Sequence, residues 1–73
     1  DFIVEKDSNV VPIEVKIKAE PEKVERSMRT FIDEYKPKIA IIVSYENKKA
    51  ELKIGNCKVF FTDILGMKEI LSD

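Results

Sequence analysis

Asp1, Glu14 and Lys16 are the residues of this chain best suited to chemistry, because a short β-hairpin brings all three to one face. The segment that carries them reads Asp-Phe-Ile-Val-Glu-Lys-Asp-Ser-Asn-Val-Val-Pro-Ile-Glu-Val-Lys. Side chains alternate along a strand, so Glu14 and Lys16 share one side while Val11, Ile13, Val15 and Ile17 take the other. Lys6-Asp7-Ser8-Asn9 supplies the turn. Whether the loop is Asp7-Ser8 or all four residues, Val4 falls opposite Val11, Phe2 opposite Ile13 and Asp1 opposite Glu14. Two carboxylates facing each other across a ladder repel. A divalent cation between them, with Lys16 alongside, relieves that repulsion.

The elements that must position these residues follow in order. Ala19-Glu20-Pro21 reads as a break and a helix start, with proline tolerated in the first turn. Val24, Met28, Phe31, Ile32 and Tyr35 then mark one helical face, and Pro37 stops the helix. Glu22 with Arg26 and Glu25 with Arg29 are i,i+4 pairs in the favourable orientation, with the acids at the positive end of the helix dipole. Ile39-Ala40-Ile41-Ile42-Val43 is a continuous β-branched run, as expected of a strand buried on both faces inside a parallel sheet. Glu46-Asn47-Lys48-Lys49 makes a turn. Ala50, Leu52 and Ile54 alternate with Glu51 and Lys53, Gly55-Asn56 forms a tight hairpin turn, and Cys57 to Phe61 is the next strand. Thr62 or Asp63 caps a last short helix that Gly66 weakens. Phe60 and Phe61 must face opposite ways, so one needs cover from the last helix or from a partner.

Composition limits what such a scaffold can do. The 73 residues suffice for one small domain, with 13 Lys and Arg against 14 Asp and Glu for a net charge of −1. That balance excludes a strongly basic wrapper of nucleic acid, and DNA contact needs a local patch or a metal bridge. The single cysteine excludes an internal disulfide framework, and the lack of histidine excludes a zinc finger or a Cys–His nucleophile. Cys57 reads as a small core residue. Glutamine and tryptophan are absent while Lys, Glu and Ile abound, a bias found in intracellular thermophile proteins. No stretch is long or apolar enough to cross a membrane as a helix, so no membrane partner and a cytoplasmic location are expected. The chain starts at Asp1 inside a strand, as a piece of a longer protein would.

An Asp on one strand, Glu14-Val15-Lys16 on the next, then an amphipathic helix and an apolar strand, resembles the PD-(D/E)xK nuclease superfamily. More narrowly, residues 1 to 45 are similar to the C-terminal domain of archaeal and bacterial P-loop ATPases of the AAA+ type. The resemblance implies that Asp1 and Glu14 coordinate Mg²⁺ or Mn²⁺, with the Val15 carbonyl as a further ligand. It implies that Lys16 positions or activates a water, or stabilises charge on the phosphate. ATP would belong to an upstream domain, and DNA would be the substrate of a phosphodiester hydrolase. The alternative is a non-catalytic module of the same fold that serves protein association. Taken alone, Glu14 and Lys16 also fit the solvated face of any amphipathic strand.

The expected fold is α/β: a small mixed β-sheet of N-terminal hairpin, crossover helix, parallel strand and second hairpin, plus a short C-terminal helix. The resemblance makes this a restriction-endonuclease-like core without its first elements. One sheet edge or face should then stay uncovered, and self-association through it is expected.

Overall fold

The computed structural model describes residues 2–18, 23–46 and 48–72. Strands β1 (Phe2–Lys6) and β2 (Asn9–Lys16) precede helix α1 (Arg26–Tyr35) and strand β3 (Ile39–Ser44). Strands β4 (Ala50–Ile54) and β5 (Cys57–Thr62) and helix α2 (Ile64–Ser72) complete the chain. The five strands form one sheet in the order β1-β2-β3-β5-β4. β2, β3 and β5 run parallel at its centre, and each outer strand pairs antiparallel with its hairpin partner. This is the mixed α/β architecture expected from the sequence.

The first hairpin has the anticipated register, Phe2 opposite Ile13 and Val4 opposite Val11, closed by the two-residue loop Asp7-Ser8. Both loop residues have positive φ, 51° and 67°, the backbone of a type I′ turn. Pairing of β2 with β3 begins at Ile13 opposite Ile41, one residue beyond Pro12. Proline has no N–H to donate to a ladder, so this is where the shared strand can begin to serve both neighbours. In the second hairpin Gly55 takes positive φ, 59°, with Ile54 opposite Cys57.

Alternation divides the hydrophobic residues between two layers. Facing α1, Ala40, Ile42, Cys57, Val59 and Phe61 pack with Val24, Met28 and Ile32. Facing α2, Val11, Ile13, Ile41 and Val43 pack with Met67, Ile70 and Leu71. Ala40, Ile41 and Ile42 are wholly buried, as a strand covered on both faces requires. Phe61 faces α1, and the half-buried Phe60 shares a depression with Gly66 and Ile70 of α2, so the last helix supplies its cover.

Two local expectations are corrected. The helix opens at Arg26 rather than at Pro21, which with Glu22 falls outside the described residues. Val24 is buried ahead of the helix instead of within it. Glu25 does not pair with Arg29: its side chain goes to Lys16, and the Arg29 guanidinium donates to the Val24 carbonyl at 3.2 Å. A cation on the neighbouring strand outcompetes one a turn along the helix. The other end is as expected. Lys36 adopts left-handed backbone angles, its N–H reaches the Ile32 carbonyl at 2.9 Å, and Pro37 follows.

Asp63 is the cap of α2, its Oδ1 accepting the Gly66 N–H at 2.8 Å. Gly66 does more than weaken this helix. A Cβ at residue 66 would overlap the Thr62 hydroxyl, so the close turn from β5 into α2 requires glycine.

Candidate functional site

Glu14 and Lys16 occupy the last two α1-side positions of β2, opposite Ile42 and Ser44 of β3. The strand places them there for a local reason. Ile13 must enter the α2-side core, and period-two alternation then sends both polar residues the other way. The Lys16 ammonium lies 3.5 Å from Glu14 Oε2 and 2.6 Å from Glu25 Oε1. Glu25 is the residue that caps α1, yet its side chain makes no bond to the helix N–H groups. Its carbonyl accepts the Arg29 N–H at 3.0 Å while its carboxylate serves Lys16. Acid, cation, acid thus form a chain from strand to helix.

Electrostatics follow from this geometry. The hydrogen bond to Glu25 raises the Lys16 pKa above its ordinary value of 10.5, burial opposes that rise, and the Glu14 charge supports it. Lys16 therefore stays protonated at neutral pH and has no proton-accepting capacity. Glu25 is shifted below its ordinary 4.5, first by the hydrogen bond from Lys16 and then by its charge. Glu14 is 9% exposed, the only carboxylate among the described residues that is so deeply placed. It also lines an open depression of about 360 Å³ between the first hairpin and α1, with Ile3, Pro12, Ser27, Met28 and Phe31.

Of the sequence-assigned residues, the structure brings Glu14 and Lys16 together. Asp1 lies outside the described residues, so its pairing with Glu14 does too. Val15 turns its side chain to the opposite face, beside Phe2, Val43 and Met67, and only its backbone can contribute next to Glu14 and Lys16. Among the described residues no group of three or more Asp, Glu, Cys or His side chains converges as a metal cage would.

Sequence reasoning missed two residues. Glu25 is nine positions from Lys16, and its part is set by topology. In a strand–helix–strand unit the first residues of the helix lie over the last residues of the preceding strand, and that rule would have indicated it. Glu46 stands just past β3, where the Ser44 hydroxyl donates to its carbonyl at 3.3 Å. One of its carboxylate oxygens meets Lys48 at 3.2 Å, and the other is buried with no hydrogen-bond partner among the described residues. Cys57 behaves as expected, buried with its thiol pKa raised by burial.

No family model, curated protein or solved structure matches this chain. Its functional reading therefore rests on the site itself.

Proposed function

We propose that this chain is a nuclease-like module of the PD-(D/E)xK type, the C-terminal module of a P-loop ATPase, whose Glu14 and Lys16 handle a DNA phosphodiester. The observation that supports this reading is the 3.5 Å approach of Lys16 to a deeply placed Glu14 at the carboxyl end of a central parallel strand. Open α/β sheets bind ligands at such strand ends. The donor chemistry fits a hard divalent cation. Glu14 offers a carboxylate at the margin of an open depression, the Val15 carbonyl is adjacent, and one or two carboxylates suffice for Mg²⁺ or Mn²⁺. Asp1 would add a second carboxylate. When bound, such an ion offsets phosphate charge and makes a coordinated water more acidic.

The chain's own residues have distinct parts. Lys16 is a cation that stabilises negative charge on the phosphoryl oxygens, a role that its raised pKa favours over that of a base. Glu25 is a positioning residue that fixes the Lys16 ammonium through their 2.6 Å contact. An ammonium has three N–H donors, so it can keep Glu25 and Glu14 while presenting the third to a phosphate.

Millimolar Mn²⁺ added to the chain should broaden the amide resonances of Glu14, Val15 and Lys16, and no broadening there would reject the metal site. Plasmid nicking by the parent ATPase, lost on Glu14→Ala, tests the reaction.

A second reading is favoured by the same contact. An ammonium already held by two carboxylates has its charge compensated within the fold. A non-catalytic module used for protein association would show this arrangement and no Mn²⁺ response.

A further inference from the structure

Among the described residues strand β1 ends the sheet, and only its shortness and the charges of Glu5 and Lys6 guard its outer edge. It carries no proline and no bulge, and among the described residues its unpaired side runs the whole strand from Phe2 to Lys6. Phe2 and Ile3 remain 48% and 54% exposed, on opposite faces of the sheet.

The register fixes which backbone groups are available. A two-residue loop makes Lys6 and Asn9 a hydrogen-bonded pair, and alternation then gives the same status to Val4 with Val11 and Phe2 with Ile13. Ile3 and Glu5 belong to the intervening pairs, so their N–H and C=O groups point away from β2. An added strand must meet those two residues.

We propose that the occupant of this edge is a second copy of the same strand, paired antiparallel about a two-fold axis at Val4. The arithmetic of the strand selects this register. Centring on Ile3 would leave Glu5 and Lys6 unpaired within the strand. Centring on Glu5 would set Glu5 directly against Glu5 of the other copy, and like charges there are destabilising. Centring on Val4 uses all of β1. Ile3 and Glu5 exchange backbone bonds with Glu5 and Ile3 of the second copy, which engages every outward-facing group of the strand. Val4 faces Val4 in a close, non-hydrogen-bonded pair, and Phe2 faces the Lys6 stem with no like charges opposed. The result is a continuous sheet through two chains. A strand this short places the contact among weak, concentration-dependent interfaces. This inference names the partner for the association reading and is independent of the Glu14–Lys16 chemistry, so either can fail alone.

Cysteine scanning reads the register directly. In a non-hydrogen-bonded pair the Cα atoms lie about 4.5 Å apart, within disulfide range. Under mild oxidation Val4→Cys should give a crosslinked dimer of twice the 8.4 kDa chain mass, several-fold faster than Ile3→Cys or Glu5→Cys. Cys57 is buried and stays out of the reaction. Faster crosslinking by Ile3→Cys or Glu5→Cys would overturn the register. Sedimentation of the unmodified chain should show reversible dimers between micromolar and millimolar concentration. Glu5→Pro removes only an outward N–H, so it should abolish the dimer while its circular dichroism stays that of the parent chain. A strict monomer at every concentration overturns the proposal and leaves the edge for a different chain.

Discussion

The two hairpins that bound the sheet are built to different standards. In β4–β5 the positive-φ turn position is a glycine, Gly55, and the edge strand sends Ala50, Leu52 and Ile54 to the core and Glu51 and Lys53 to solvent. In β1–β2 the positive-φ positions are Asp7, which tolerates that backbone, and Ser8, which adopts it at a cost that glycine would not incur. Its edge strand has apolar residues on both faces, and of these Val4 packs against the core. One hairpin completes the domain and the other presents a surface. The Glu14–Lys16–Glu25 chain lies where the second of these joins the parallel centre.

The largest expected difference is in stability. Phe61→Ala removes a ring that is 2% exposed and should cost about 3–5 kcal/mol, whereas Val4→Ala on the half-buried outer strand should cost about 1 kcal/mol. Comparable losses by urea denaturation would erase the distinction between the hairpins. Next comes Lys16→Met, which leaves the deeply placed Glu14 without its cation and should cost about 1–3 kcal/mol. Adding Glu14→Gln should recover part of that loss. Additive losses in the double variant would mean that the two side chains do not act as a pair.

Ser8→Gly should stabilise the chain by about 1 kcal/mol, because glycine accepts the 67° φ freely. Destabilisation there would show that the first turn is not strained. The smallest effect concerns pH. Glu25 is lowered below 4.5, so its contribution is complete above that value and fades as pH falls through the depressed pKa. Lys16 is raised above 10.5, so its contribution is complete below that value and fades as pH rises through the elevated pKa. Glu25→Gln should flatten the acid limb of a plot of melting temperature against pH. An unchanged acid limb would separate Glu25 from Lys16.

Period-two alternation made both hairpins legible in the sequence. It placed Glu14 and Lys16 on one face and fixed the pairing of Val4 with Val11, because a strand offers a side chain only two directions. The buried run Ile39 to Val43 and the stop at Pro37 were equally plain, since each rests on local chemistry. The contact between Lys16 and Glu25 was hidden. Nothing in local periodicity tells a glutamate at a helix entrance to prefer a lysine on the preceding strand over an arginine one turn on. Gly66 was hidden for a similar reason. Propensity records its cost within a helix, and only the packed fold reveals the Thr62 hydroxyl against it.

That glycine has a mechanical consequence. One residue, Asp63, separates the end of β5 from the start of α2, and the contact between Gly66 and Thr62 takes up what slack remains. A pull on the tail of α2 is therefore transmitted straight into an interior strand of the sheet. Load applied there would be resisted by two flanking ladders at once instead of being absorbed by a pliant linker.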